Sequence, residues 1–279
     1  MKIHIGTSGW SYPTGPNKWK GIFYPKGKID ELTYFSEHFN TVEVNVTFYR
    51  LIPETFSNSW VKKTPKDFKF SVKLYQNFTH PEMSEQATVK DIDIFKKSLE
   101  PLIKAGKFAA LLIQFPYSFH ADEKGLEILD DILKDFEEYP KTVEFRHPSF
   151  LGSDEAYRML EDSNTPWVNV DDPFGKFNRF CPFGKTQYLR LHGHNKKDWY
   201  SKGPDKDARY DYFYEPDEIK KISQEIFNLP DKTKDVYVYF NNHPSAKAAA
   251  NAMMLKKELG QKISKNLTPE FMAKYGKYF

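Results

Sequence analysis

The chain has 279 residues, of which 39% are hydrophobic and 28% are charged, and its formal net charge is +3. This composition is typical of a globular protein with a sizeable core, and so small a net charge argues neither for nor against a nucleic-acid partner. No stretch approaches the ~20 apolar residues of a membrane-spanning helix, the first residues lack the pattern of a secretory signal, and the single cysteine, Cys181, excludes an internal disulfide.

Short runs rich in β-branched and aromatic residues alternate with stretches of helical periodicity along the chain. The eight predicted strands are Lys2–Ser8, Thr41–Thr47, Phe68–Lys73, Ala109–Gln114, Thr142–Arg146, Trp167–Asp171, Gln187–His192 and Asp235–Asn241. The six predicted helices are Ile29–His38, Asp91–Ala105, Lys124–Glu138, Asp154–Asp162, Pro216–Asn228 and Ala246–Leu259. Strands that alternate with helices form a parallel sheet, and eight of them predict a single TIM barrel, (β/α)8, over residues 1–279.

The connection after the sixth strand departs from this alternation. Residues 171–187 read DDPFGKFNRFCPFGKTQ, which is rich in Pro, Gly and Phe and has no helical period. We therefore expect a loop in place of the sixth helix. Residues 195–214 are also loop-like, and long loops at the carboxyl end of a barrel often carry function.

Alternation within the strands predicts where their polar side chains point. In the second strand Glu43 and Asn45 oppose the valines, and in the fifth Glu144 and Arg146 oppose Val143 and Phe145. Because the outer face of a TIM barrel packs against helices, the apolar set points outward and the polar set inward. The polar residues late in the strands form a predicted cluster: Glu43, Asn45, Lys73, Gln114, Glu144, Arg146, Asp171, Arg190, His192 and Asn241.

This cluster has two interpretations. Charged groups inside a barrel cost several kcal/mol each unless they are paired, so the cluster could be a salt-bridge network that closes the barrel end. Aliphatic layers would serve stability equally well, however, and polar side chains gathered at the carboxyl ends of strands are what a binding or catalytic site requires. We expect Glu144 and Arg190 to converge at this end.

Residues beside the cluster extend the candidate site. Tyr12 lies in the loop after the first strand, and His80 and His147 each precede a proline at a predicted strand end. Asn241, Asn242 and Ser245 close the eighth strand, and Ser245 is the predicted N-cap of the next helix. Since a helix N-terminus attracts anions, this corner together with Arg190 favours an anionic ligand.

Eight segments, taken in order, resemble a known family: GTSGWSY, GIFYP, FNTVEVNVTFYRL, FKFSVK with a later FTHP, LLIQFPYSF, VEFRHPSF, YLRLHGH and VYFNNHPSAKAAANA. Their order and spacing are similar to those of the YecE-like family, catalogued as domain of unknown function 72. The resemblance covers nearly the whole chain and implies a TIM barrel. It implies no activity, because the family has none established.

We expect a cytoplasmic protein that binds a small anionic metabolite, such as a sugar acid or sugar phosphate, and processes it by acid/base chemistry. Glu43 or Glu144 would transfer protons, and Asp171 or His192 would orient the partner. The residues expected to hold the ligand are Tyr12, Asn45, Lys73, His80, Gln114, Arg146, His147, Arg190, Asn241 and Asn242. This interpretation needs no cofactor, and the sequence leaves the oligomeric state open.

Two alternatives remain at this point. The first is a metal-dependent phosphodiesterase or nucleic-acid-binding barrel, which needs a divalent metal, for instance at His192 and His194, and a basic rim. The lysines of that rim would be Lys196, Lys197, Lys202 and Lys206. Arginines inside the cluster argue against it, because a metal site takes anions and imidazoles. The second alternative is a barrel that binds without catalysis.

Overall fold

The computed structural model describes residues 1–13, 15, 18–80, 82, 87–200 and 203–279, without the side chains of 203–206. Lys202 and the side chain of Lys206, two members of the predicted basic rim, lie outside the described residues. The chain divides into two compact units. The first unit contains Met1–Val42, Val170–Gly175 and Leu189–Phe279, and the second contains Glu43–Asn169 and Lys176–Tyr188.

The described residues contain eight β-strands in two four-stranded sheets. They are β1 Lys2–Thr7, β2 Thr41–Val44, β3 Lys69–Lys73, β4 Phe108–Gln114, β5 Lys141–Glu144, β6 Asn169–Asp171, β7 Thr186–Leu191 and β8 Asp235–Phe240. The sheet orders are β1-β8-β7-β6 and β2-β3-β4-β5. β1 and β8 pair in parallel from Lys2 opposite Asp235 to Thr7 opposite Phe240, so the first and last strands are neighbours.

Ten α-helices lie in the described part of the chain. They are α1 Glu31–Ser36, α2 Val46–Tyr49, α3 Glu54–Lys63, α4 Gln76–Thr79, α5 Val89–Lys104, α6 Glu123–Asp135, α7 Asp154–Asp162, α8 Pro216–Phe227, α9 Lys247–Glu258 and α10 Pro269–Tyr275. All six predicted helices are present, and α2, α3, α4 and α10 were not predicted. α3 buries only Ser57 and Trp60, so its sequence lacks the apolar stripe that identifies a helix.

The loop predicted after β6 is confirmed, because residues 172–185 are described and contain no helix. Gln187 holds this segment to β7 through its side chain. Its Oε1 accepts a hydrogen bond from the Cys181 backbone N–H at 3.1 Å, and its Nε2 donates to the Cys181 carbonyl at 2.9 Å. The amide thus occupies both main-chain polar groups of a buried residue in an irregular segment.

The second predicted strand is too long at its carboxyl end. β2 ends at Val44, Asn45 has helical φ and ψ of −103° and −15°, and Val46–Tyr49 forms α2. Strand alternation therefore does not orient Asn45 or Thr47. The Thr47 hydroxyl instead donates to the Lys73 carbonyl at 2.7 Å, which secures the short helix to the end of β3.

The prediction that Ser245 caps the helix after β8 is wrong. α9 begins at Lys247, its N-cap residue is Ala246, and no side chain caps it. Ser245 and Ala246 both have positive φ, 55° and 63°, which is a costly conformation for residues other than glycine. The backbone reverses through these two residues, so the Ser245 side chain does not take the capping position.

The two units have extensive apolar interiors. The largest fully buried side chains are mostly aromatic, and they include Trp19, Tyr24, Tyr214 and Tyr239 in the first unit and Phe68, Phe70, Phe95, Phe115 and Phe136 in the second. Within the described residues, no helix is long and apolar enough to cross a membrane.

Candidate functional site

The ends of β4 and β5 place three predicted residues together in the second unit. Gln114 lies opposite Glu144 in the parallel register. Arg146, just beyond β5, binds Glu144 Oε1 through Nε at 3.0 Å and through Nη2 at 2.9 Å, and Nη2 also lies 3.5 Å from Gln114 Oε1. Glu144 is buried, whereas the Arg146 side chain is 27% exposed. A buried carboxylate therefore holds a guanidinium that reaches solvent.

Lys73 and His80 form a second part of this cluster. Lys73, the last residue of β3, is buried, and its Nζ lies 3.6 Å from the centroid of the Phe48 ring, which also packs against His80. Burial lowers the pKa of His80, and the charges of Lys73 and Arg146 lower it further, against an opposing effect of Glu82. His80 thus favours the neutral imidazole, and its Nδ1 lies 2.9 Å from the Thr79 hydroxyl.

Glu43 and Asn45 lie at the carboxyl end of β2. The Tyr188 hydroxyl donates to Glu43 Oε2 at 2.9 Å, and both residues are fully buried. Asn45 Oδ1 is buried and has no hydrogen-bond partner among the described residues. A polar side chain removed from solvent is destabilising unless it is hydrogen-bonded, so the Tyr188 hydroxyl supplies a hydrogen bond that Glu43 needs in the interior.

His147 belongs to a separate group of rings. Its imidazole packs on His120, with centroids 3.8 Å apart, and on Tyr117, and its Nδ1 lies 2.9 Å from the Ser149 hydroxyl. Burial lowers its pKa, and His120 and Lys176 add to this effect. His147 therefore joins a ring cluster rather than the pair formed by Glu144 and its neighbouring arginine.

In the first unit, Asp171 binds two residues that the strand pattern did not single out together. Its Oδ1 lies 3.0 Å from His194 Nε2, and its Oδ2 accepts from the Tyr214 hydroxyl at 2.7 Å. That hydroxyl also accepts the Gly193 backbone N–H at 2.8 Å. On the other side of the imidazole, His194 Nδ1 lies 3.3 Å from Glu218 Oε1. The histidine is thus held between two carboxylates.

Gly193 gives the chain the turn that separates His192 from His194. Its φ is +85°, and a Cβ atom there would lie 2.4 Å from the Cβ of Tyr212. Only glycine fits this position without displacing Tyr212, whose hydroxyl donates to Glu218 Oε1 at 2.7 Å.

Backbone hydrogen bonds bring Asp171, His192 and Asn241 side by side at the ends of β6, β7 and β8. The His192 N–H donates to the Asp171 carbonyl at 2.9 Å, and the Asn241 N–H donates to the Leu191 carbonyl at 2.8 Å. Asn241 Nδ2 lies 2.9 Å from His192 Nδ1. Arg190, two residues before His192, is buried as well.

Tyr12 and Asn242 lie close to this row. The Tyr12 ring stacks on His243, with centroids 4.6 Å apart and planes at 10°, and its hydroxyl donates to the Ser8 carbonyl. Asn242 Nδ2 donates to the Tyr212 carbonyl at 2.9 Å and to Asn251 Oδ1 at 2.8 Å. Every predicted site residue of the first unit is therefore placed near the carboxyl ends of β1, β6, β7 or β8.

The expected convergence of Glu144 with Arg190 joins residues of different units and stays a prediction. Sequence reasoning missed three residues of this site. They are Tyr214, Glu218 and His194, the last of which was not predicted to bind Asp171. Tyr214 and Glu218 lie outside the strands, Tyr214 just before α8 and Glu218 in its first turn, so strand alternation carries no information about either. The signal that was available is Gly193, since a glycine between two histidines marks a turn.

The metal-dependent alternative requires a cluster of metal ligands. In the part of the chain that the structure describes, no three His, Cys, Asp or Glu side chains are grouped so that they could hold a metal ion. His192 and His194 engage Asn241 and Asp171 respectively.

Parallel sheets, alternating helices and polar residues at the carboxyl ends of strands define an α/β protein of the TIM-barrel type. Residues 4–273 match the family described as "Protein of unknown function DUF72", and the chain belongs to this family. The "UPF0759 protein YunF" of Bacillus subtilis (strain 168) is 30% identical over 271 residues, which cover 91% of this chain and 93% of that protein.

Two solved structures of the same family have similar folds. A DUF72 family protein of Thermotoga maritima MSB8 superposes with a TM-score of 0.78 at 32% identity, covering 94% of this chain and 100% of that one. A DUF72 family protein of Enterococcus faecalis V583 gives a TM-score of 0.79 at 25% identity, covering 96% and 98%. The resemblance found in the sequence motifs is thereby confirmed.

Proposed function

We propose that this DUF72 protein binds a small anionic metabolite, a sugar acid or sugar phosphate, at Lys73, Arg146 and His80, and processes it by acid/base chemistry. The observation that carries the proposal is geometric: the Lys73 Nζ lies 3.6 Å from the centroid of the Phe48 ring that packs against His80, and the Arg146 guanidinium is partly exposed beside Glu144. Two cationic side chains in one cluster favour the binding of an anion there.

The Arg146 guanidinium is held in an orientation that suits such a ligand. Glu144 and Gln114 engage Nε and Nη2, while Nη1 has no acceptor among the described residues. A guanidinium held from one side presents its remaining N–H groups in a fixed direction, which suits a carboxylate or phosphate. The Glu144 carboxylate therefore serves to position the arginine.

His80 is the group best suited to accept a proton. Its pKa is lowered by burial and by the same two cations, so the neutral imidazole persists at neutral pH. A bound anion neutralises those cations and raises the basicity of the ring. The imidazole then takes a proton from a hydroxyl or an acidic C–H group of the sugar, and the imidazolium returns it at another atom.

Binding is tested by calorimetric titration of the purified protein with gluconate, with glucose 6-phosphate and with neutral sorbitol. We expect one of the anions to bind and sorbitol not to bind. Arg146→Gln should weaken the binding at least ~10-fold, because a charge-assisted hydrogen bond is lost. The matched control is Arg158→Gln, which removes the same charge from an exposed position on α7.

Equal weakening by both arginine substitutions would contradict the proposed site, since only general electrostatics would remain. The catalytic role is tested separately with His80→Gln and with proton NMR of the sugar in deuterated water. This variant should keep the anion affinity that Lys73 and Arg146 supply, but it should fail to exchange or convert the sugar. Turnover that survives the substitution would exclude His80 as the proton acceptor.

A further inference from the structure

A cavity of about 90 Å³ opens in the second unit, away from the polar residues at the strand ends. Five of its thirteen lining residues are aromatic, namely Phe145, Phe150, Tyr157, Trp167 and Phe177. We propose that this cavity binds a small aromatic carboxylate, with the ring inside and the carboxylate at the mouth.

The cavity exists because an irregular segment replaces the helix after β6. Residues 172–185 contain no helix, and Phe177 and Arg179 of this segment form one wall. The Trp167 indole N–H donates to the Arg179 carbonyl at 3.3 Å, which fixes the segment against the opposite wall. An irregular chain covers an apolar surface less completely than a helix does, so space remains between them.

The aromatic walls resist collapse into this space. The rings of Phe145 and Phe150 stack at 3.8 Å with planes at 6°, and Phe119 stacks on Phe150 at 5.5 Å. Their stacking leaves little freedom to rotate into the cavity, and an unfilled apolar cavity loses dispersion contacts along its lining. A flat apolar ring restores those contacts.

The mouth of the cavity carries the charge that selects the ligand. The Arg179 guanidinium lies 5.2 Å from the centroid of the Trp167 ring, is exposed, and has no carboxylate partner among the described residues. A guanidinium on an aromatic face binds carboxylates well, because its planar N–H groups match both oxygens. Asp154, at the start of α7, is the one acidic residue in the lining, and it is exposed. An aromatic acid therefore matches the aromatic walls and the cation at the mouth.

The test is titration with phenylacetate and with its neutral isostere phenylacetamide, followed by saturation-transfer NMR on the full chain. We expect phenylacetate to bind about tenfold more tightly than phenylacetamide. Arg179→Gln should remove this preference, and Asp154→Asn should strengthen phenylacetate binding. If phenylacetate does not bind, or if Arg179→Gln leaves the preference unchanged, the proposal is wrong.

A second variant tests whether the ring enters the cavity. Gly152 lines the cavity, and a Cβ atom built there meets no atom within 4 Å, so a side chain can start at this position without a clash. The side chain introduced by Gly152→Leu should block the opening and abolish binding of both compounds. Binding that persists in Gly152→Leu would place the ligand elsewhere and overturn the proposal. Neither result depends on Arg146 or on the function proposed above.

Discussion

The carboxylate of Asp171 binds the imidazole of His194, with Oδ1 3.0 Å from Nε2. This hydrogen bond raises the pKa of His194, the charges of Asp171 and Glu218 add to the increase, and burial opposes it. The same carboxylate accepts the Tyr214 hydroxyl. One acidic side chain therefore joins the start and the end of the segment between β7 and α8.

The Asp171–His194 pair makes stability depend on pH. Because the pKa of His194 is higher in the folded state than its ordinary value of 6.5, the stabilisation is complete below about pH 6.5 and is lost as pH rises through the folded pKa. The residue is partly exposed, so we expect only about 0.5 kcal/mol. His194→Gln should reduce the free energy of unfolding in urea at pH 6 and change it less at pH 9.

His38 should cause the opposite dependence. It is buried among Phe23, Tyr34 and Phe39, and neither ring nitrogen has a hydrogen-bond partner among the described residues. Burial, with a smaller effect of Lys256, lowers its pKa to about 4. His38 is therefore protonated below about pH 6.5 in the unfolded chain, but only below about pH 4 in the folded chain.

This difference should lower the free energy of unfolding by about 2 kcal/mol between pH 7.5 and pH 5. His38→Phe retains a ring of similar shape and removes the titration. Urea unfolding of this variant should show a smaller loss over the same interval. An identical loss in the variant and the parent protein would assign the acid sensitivity to other groups.

Lys107, which lies between α5 and β4, stabilises the end of α3. It is buried, and its Nζ donates to the Val61 carbonyl at 2.8 Å, to the Thr64 carbonyl at 2.8 Å and to the Thr64 hydroxyl at 2.9 Å. Lys107→Met would leave these acceptors without a donor, and we expect a loss of about 2–3 kcal/mol in chemical denaturation. Lys62→Met, at an exposed position in the last turn of α3, should change stability by less than about 0.5 kcal/mol.

Alanine substitutions at two glycines distinguish the cost of backbone strain from the cost of steric overlap. Gly193 and Gly175 both have positive φ, but only at Gly193 does an added Cβ atom clash, with the Cβ of Tyr212 at 2.4 Å. Gly175→Ala should cost about 1 kcal/mol, which is the cost of a left-handed alanine. Gly193→Ala should cost at least about 2 kcal/mol more, measured by thermal unfolding. Equal losses would mean that Tyr212 moves aside freely.

The fold class was predictable because the strands and helices have strong periodic patterns. The absence of a helix after β6 was predictable because Pro and Gly recur in that segment and leave it without a helical period. Alternation failed at Asn45, because β2 ends one residue earlier and a short helix begins. It failed for Ser245 because two consecutive residues of positive φ are not encoded by a local sequence signal.

The candidate site was predictable only where it lies on strands. Glu144 with Gln114 follows from parallel register, and Asp171 beside His192 follows from neighbouring strand ends. Contacts from loops and helices, such as Tyr214 with Asp171, depend on how a long segment returns to the sheet. That return is set by tertiary packing, which a single sequence does not reveal.

The Gln187 side chain makes the hydrogen bonds that a neighbouring strand would make, since both of its bonds go to the main chain of Cys181. Those hydrogen bonds use the backbone of residue 181, so they do not depend on its side chain. They require both a donor and an acceptor in the side chain at position 187. We therefore expect related proteins to retain a carboxamide at position 187 more often than a cysteine at position 181. An alignment of related proteins would then show stronger conservation of the amide at 187 than of the thiol at 181.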